Sequence, residues 1–219
     1  NGFTKLLSSI PNTREETLRT ALVVDTLKPT IKTEETNILG IHERIGRGYS
    51  EFAHSIAGRI HNVALTASKI NGILVKPGEI FSFNNAVGDI SAATGFDPAY
   101  IIKDGRTVLG DGGGVCQVST TLFRAVLNAG LPIIKRQAHA YRVAYYEQAG
   151  YKAGLDATVF APSVDFQFKN DTPGYILIQT TTDRRNLTLT IDLYGTSDGR
   201  KAEVLNHVVG SITPPPPDL

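Results

Sequence analysis

Residues 110–131 read GDGGGVCQVSTTLFRAVLNAGL: three consecutive glycines, then an apolar run that closes on another glycine. Val118, Leu122, Ala125, Val126 and Ala129 recur at three- and four-residue spacing. This predicts a helix from about Cys116 to Ala129, with Gly130 and Pro132 ending it. Upstream, Phe52, Ile56, Ile60, Val63, Ala67 and Ile70 predict a second long helix. It starts near Tyr49 with Ser50 as N-cap and stops at Gly72 and Pro77. Ile80, Phe81 and Phe83 follow as a short strand. Asp104-Gly105 between two β-prone runs predicts a hairpin over Tyr100–Leu109. Downstream the pattern turns to strands: Ile133 to Lys135, Ala157 to Phe160, the alternating Val164, Phe166 and Phe168, Tyr175 to Thr181, and Leu187 to Leu193. Helices first and strands later point to an α+β fold, with two principal helices packed on a mainly antiparallel β-sheet.

The ends read differently. TREETLRTAL at 13–22 suits a short helix with Thr13 and Glu16 as a capping box. Val23 to Ile38, with Pro29, four Thr and two adjacent Glu, reads as a connector. Pro214 to Pro217 form a stiff extended linker. Three parts are expected: 1–37, the trailing part of a preceding domain; 38–195, the main domain; and 196–219, a linker toward a following module. The chain has 219 residues, 41% apolar and 20% charged, with a net charge of +1 and scattered basic residues. That composition predicts a globular fold and argues against nucleic acid as a partner. No apolar run is long enough to span a bilayer. The absence of Met points to a chain that begins inside a longer product from which an anchor or signal was trimmed. One Cys excludes an internal disulfide and raises the question of what the thiol is for.

Cys116 falls in the first turn of the glycine-preceded helix. There the macrodipole and free N–H groups favour the thiolate, and the loop at Gly113 and Gly114 offers N–H groups to an oxyanion. A thiolate nucleophile requires a base. His139, at the end of a predicted strand after the helix, is preferred over His61, on the first helix, and Asp156 is the acid suited to orient the imidazole. Gln117, Ser119 and Thr120 stand ready to bind substrate or to cap the helix. Glu79 is a candidate acid for glycan cleavage or a solvated turn residue. The bland reading of Cys116 is a small buried hydrophobe. His54 and His61, seven apart on the expected helix, lack the spacing of a metal site; GDGGG lacks the Lys of a phosphate loop; and no feature calls for a cofactor.

The motifs RIHNVALTASKINGILVKPGEIFSFNNAVG (59–88), GGGVCQVSTTLFRAVLNAGL (112–131), RQAHAYRV (136–143), GLDATVF (154–160) and DFQFKNDTPGYILI (165–178) together resemble the VanW family. The resemblance implies an extracytoplasmic cell-envelope protein, often membrane-anchored. It also implies a peptidoglycan-binding type of domain before residue 38 and a G5 module after the Pro-rich tail. Family members commonly carry a second His and a Pro where this chain has Gln137 and Ala138. Three functions fit: cysteine-dependent acyl transfer or hydrolysis on peptidoglycan or its peptide stems, a non-catalytic peptidoglycan-binding or scaffolding module, and glycan cleavage by Glu79. The expected partners are peptidoglycan or cell-wall glycan and neighbouring domains of the same chain.

Overall fold

A computed structural model describes residues 38–103 and 106–204. The expected helix at 13–22, the connector up to Asn37, the Asp104-Gly105 turn and the Pro-rich tail lie outside them. In chain order the elements are β1 (Glu43–Glu51), α1 (Ala57–Ile70), β2 (Leu74–Val75), β3 (Ile80–Ser82), the short α2 (Phe83–Val87), β4 (Pro98–Lys103), β5 (Arg106–Asp111), α3 (Val115–Asn128), β6 (Ile133–Lys135), a 3-10 segment (Ala144–Gly150), β7 (Gln167–Lys169), β8 (Ile176–Asp183) and β9 (Thr188–Gly195). The class is α+β, as expected. An antiparallel sheet in the order β1-β9-β8-β2 stands beside a smaller sheet, β3-β7-β6, and a separate β4-β5 hairpin.

One apolar core joins the layers. Val63, Ala67 and Ile70 of α1, Val118, Leu122 and Val126 of α3, and Ile176, Ile178, Leu189, Ile191 and Leu193 of the larger sheet belong to it, with Phe81, Phe166 and Phe168 from the side of the smaller sheet. The helix α3 begins at Val115, one residue from its expected start, and is buried on nearly every side from Val115 to Val126. A helix enclosed in this way has no solvent stripe, so its hydroxyl and basic side chains must find internal partners. They do, and those bonds build the site described below.

The largest correction concerns residues 49–56. Tyr49 and Ser50 belong to β1, and α1 starts only at Ala57, with Ile56 as N-cap and no side-chain capping bond. The inward positions of β1 are Gly46, Gly48 and Ser50, all buried. They are small because α3 lies directly on the strand: a Cβ on Gly48 would come 1.9 Å from the Thr121 carbonyl oxygen, and one on Gly46 2.5 Å from that of Ala125. Ser50 Oγ and Thr121 Oγ1 share a hydrogen bond of 2.6 Å across the contact. Small residues give no apolar alternation, so the strand is silent in the sequence. With the helix start displaced, His54 sits before α1 at φ 62, and the two histidines do not share a helix.

Smaller differences follow the same logic. Phe83 opens α2 rather than ending β3. Ala157–Phe160 is no ladder strand: its only bridge joins Phe160 to Val164, and its other backbone groups bond to side chains of α3 and to Gln137. His139 lies in the loop beyond β6 rather than at a strand end, and β7 covers only Gln167–Lys169 of the expected alternation.

Candidate functional site

The glycines before α3 set the position of Cys116. Gly114, the N-cap, has φ 111, and Gly113 lies so close to β4 that a Cβ would meet the Tyr100 carbonyl at 2.6 Å. Asn62 of α1 holds the loop from the other side: its Nδ2 donates to the carbonyls of Asp97 (2.8 Å) and Gly113 (3.0 Å), and its Oδ1 accepts from the Asp97 N–H. The triple glycine thus seats the helix start between α1 and the hairpin, leaving Cys116 partly exposed in the first turn.

A strap of chain from Arg136 to Val159 covers this helix end, and α3 pins it. Ser119 Oγ donates to the Ala157 carbonyl at 2.6 Å, and the Ala157 N–H donates to Thr120 Oγ1 at 3.1 Å. Arg124 is buried against the Tyr151 ring at 3.7 Å and donates to the carbonyls of Tyr49, Leu155 and Tyr146. Burial lowers its pKa to about 10. Next to Cys116, the Val159 N–H donates to Sγ at 3.5 Å, and Thr158 Oγ1 lies 3.7 Å from it.

The strap brings His139 and Asp156 to the thiol. The Asp156 carboxylate accepts from the His139 ring Nδ1 and from the His139 backbone N–H at 2.9 Å, fixing the ring at both its root and its tip. Arg136 adds an ion pair to Asp156 at 3.5 Å. The imidazole lies against Tyr146, ring centroids 4.7 Å apart, and its side chain is only 5% exposed. With Nδ1 committed to Asp156, Nε2 is the ring nitrogen left free of that carboxylate.

The charges follow this arrangement. Burial opposes ionisation of Cys116, but the hydrogen bond and positive charge of His139, with the Val159 N–H and Thr158, outweigh it and lower the thiol below its ordinary value. Burial likewise opposes a charge on His139, yet Asp156 and Cys116 push it up to about 9. Asp156 is lowered: burial works against its charge, and the bonds from His139 and the charge of Arg136 prevail. These directions favour a thiolate–imidazolium pair held by an ionised carboxylate. Such a pair can attack a carbonyl carbon and return a proton to the leaving group.

The other sequence candidates take different places. Gln117, Ser119 and Thr120 are fully buried and committed to internal bonds. His61 Nε2 bonds to the Gly95 carbonyl at 2.9 Å, on the hairpin side of α1. Glu79 accepts from the Lys76 N–H at 2.8 Å within its own turn. Of the two possible bases, His139 is the one beside the thiol. A pocket of about 190 Å³ opens at His139 and Asp156, bordered by Tyr141, Arg142, Tyr146 and Lys152. A polar cleft of about 560 Å³ is lined by Ser82, Asn84, Asn85, Asp89, Lys135 and Asp165, among others. It is larger, but His139 and Asp156 line only the smaller one, and Cys116 lines neither.

Sequence reading missed Arg59, Arg124, Tyr146 and Thr158. A signal existed for one of them: Arg59, Asn62 and Thr66 recur at helical spacing as a buried polar stripe.

The family model described as "VanW like protein" matches residues 58–192. Among curated proteins, the chain is 41% identical over 137 residues to "Uncharacterized protein YoaR" of Bacillus subtilis (strain 168), covering 63% of this chain and 44% of that protein. It is 33% identical over 125 residues to "Vancomycin B-type resistance protein VanW" of Enterococcus faecalis (strain ATCC 700802 / V583), covering 57% of this chain and 46% of that one. The chain thus matches less than half the length of either relative. No solved structure matches. The matched span contains Cys116, His139, Asp156 and the strap that joins them, and on that span the chain belongs to the VanW family.

Proposed function

We propose that this domain works in the extracytoplasmic cell envelope on peptidoglycan peptide stems, as a cysteine-dependent acyl transferase or hydrolase. One observation carries the reading: a Cys at a helix start, a His beside it and an Asp fixing that His converge from three separated stretches of chain. In the proposed reaction the Cys116 thiolate adds to the peptide carbonyl and the His139 imidazolium protonates the departing amine, leaving a thioester on Cys116. Water or a second amine then attacks the thioester, with His139 taking up its proton, and the thiolate departs. Asp156 stays ionised throughout and holds the ring. The substrate class rests on the family's envelope context and on the vancomycin-resistance name of one relative. No helix among the described residues is long and apolar enough to cross a membrane, so anchoring belongs to the proposal for the full-length protein.

A second reading, a non-catalytic wall-binding module, is favoured by the polar cleft, whose amide and carboxylate lining suits a glycan. Glycan cleavage by Glu79 ranks behind both, because that carboxylate is held in its own turn. Mass spectrometry of purified peptidoglycan incubated with the wild-type domain and with Cys116→Ala separates them. New stem fragments or cross-links that vanish in the variant are expected. Retained wall binding with no change in the peptidoglycan from either protein would favour the binding module.

A further inference from the structure

Arg59 is a buried charge that the proposed chemistry leaves unused. It is 7% exposed and lies across the start of α3: a Cβ on Gly114 would come within 3.1 Å of Arg59 Cγ. Its Nη2 donates to Gln117 Oε1 and its Nη1 to Ser55 Oγ, both at 2.8 Å, and the guanidinium carbon stands 4.0 Å over the Tyr145 ring. All these partners are neutral. Among the described residues no carboxylate lies within ion-pair distance of Arg59.

A buried cation without a counter-charge is costly, and this one sits at the positive end of a helix. Arg59 bonds to Gln117 and packs on Gly114, and between those residues stand Val115, an apolar residue, and Cys116, which can become an anion. Resting on the reading of Cys116 as a thiolate nucleophile, we propose that Arg59 is a positioning residue, the second cation that keeps Cys116 ionised. The groups around the thiol leave it this role. From the strap come His139, already matched to Asp156, and Thr158; Arg136 is matched to Asp156 as well. From the 3-10 segment come Tyr145 and Tyr146, the latter pushed well up by burial and so neutral. Burial lowers Arg59, and against it act the two tyrosines, Tyr146 and Tyr145, and after them the charge of Cys116.

The test is the rate of Cys116 alkylation by iodoacetamide, an uncharged reagent, followed across pH by intact mass in wild type, Arg59→Gln and Arg59→Lys. The Gln variant is expected to move the half-maximal rate upward by about one pH unit, slowing labelling at pH 6 about ten-fold, while Lys restores most of it. A folded Arg59→Gln protein whose profile superimposes on wild type overturns the proposal. If Arg59→Gln does not fold, Ser55→Asp decides. It sets a carboxylate against Nη1 just ahead of α1, where an acid is tolerated, and the same upward shift is expected; no shift overturns the proposal. The assay uses no cell-wall substrate, so unchanged peptidoglycan would not touch it. A wild-type thiol that titrates at the ordinary 9.0 would overturn both readings together.

Discussion

Asp156 bonds to both the backbone N–H and the ring of His139, so it sets the position and the charge of the imidazole together. In Asp156→Asn the carboxylate that sustains protonation is gone. The His139 pKa is expected to fall from about 9 toward the ordinary histidine value of about 6.5, read by NMR titration of its ring protons. Any activity that uses the imidazolium as acid would lose its alkaline limb at correspondingly lower pH. Cys116 stood out in the sequence as the one Cys of the chain and His139 as one of five His, whereas Asp156 was singled out only by its place after them. Arg59 and Arg124 were not, because a basic residue in a helical pattern reads as solvent-facing unless its enclosure is known.

At the scale of elements, α3 organises the molecule through contacts that have little to do with apolar patterning. Gly48 of β1 lies against the Thr121 carbonyl with no room for a methyl group. Gly48→Ala is expected to cost about 3 kcal/mol, lowering Tm by about 10 °C in a domain of this size, as calorimetry would show. Thr120 bonds to the strap through the Ala157 N–H. Thr120→Val would leave that buried N–H unpaired and cost about 1–2 kcal/mol in a urea titration. It should also raise the thiol pKa, since Thr158 and Val159 follow Ala157 directly. The ends of α3 were readable from Gly112–Gly114 and from Gly130 with Pro132, where backbone requirements leave a trace in residue type. The strand β1 and the strap left none: one is built of small residues, the other is held by side-chain bonds rather than a ladder.

For the whole molecule, the strap makes stability and site chemistry depend on one carboxylate. Asp156 has a folded pKa below its ordinary 3.8, so its ionised form contributes stability that is fully present above that value. The contribution is lost as pH falls through the lower, folded value. The gap in urea midpoint between wild type and Asp156→Asn should therefore be constant between about pH 5, below the ordinary histidine range, and about 4, and close below it. A gap unchanged at about pH 2.5 would show that folding does not lower the Asp156 pKa.

Native-state labelling reads out whether Cys116 is a thiolate nucleophile maintained by His139. Iodoacetamide alkylation of wild type and His139→Ala is followed by intact mass from pH 5 to 10. The expected result is a wild-type thiol half-reactive below 9.0, with the low-pH reactivity lost in the variant, where burial acts against the thiolate with one opposing group fewer. A thiol labelled only after unfolding, or a profile that His139→Ala leaves in place, would contradict it.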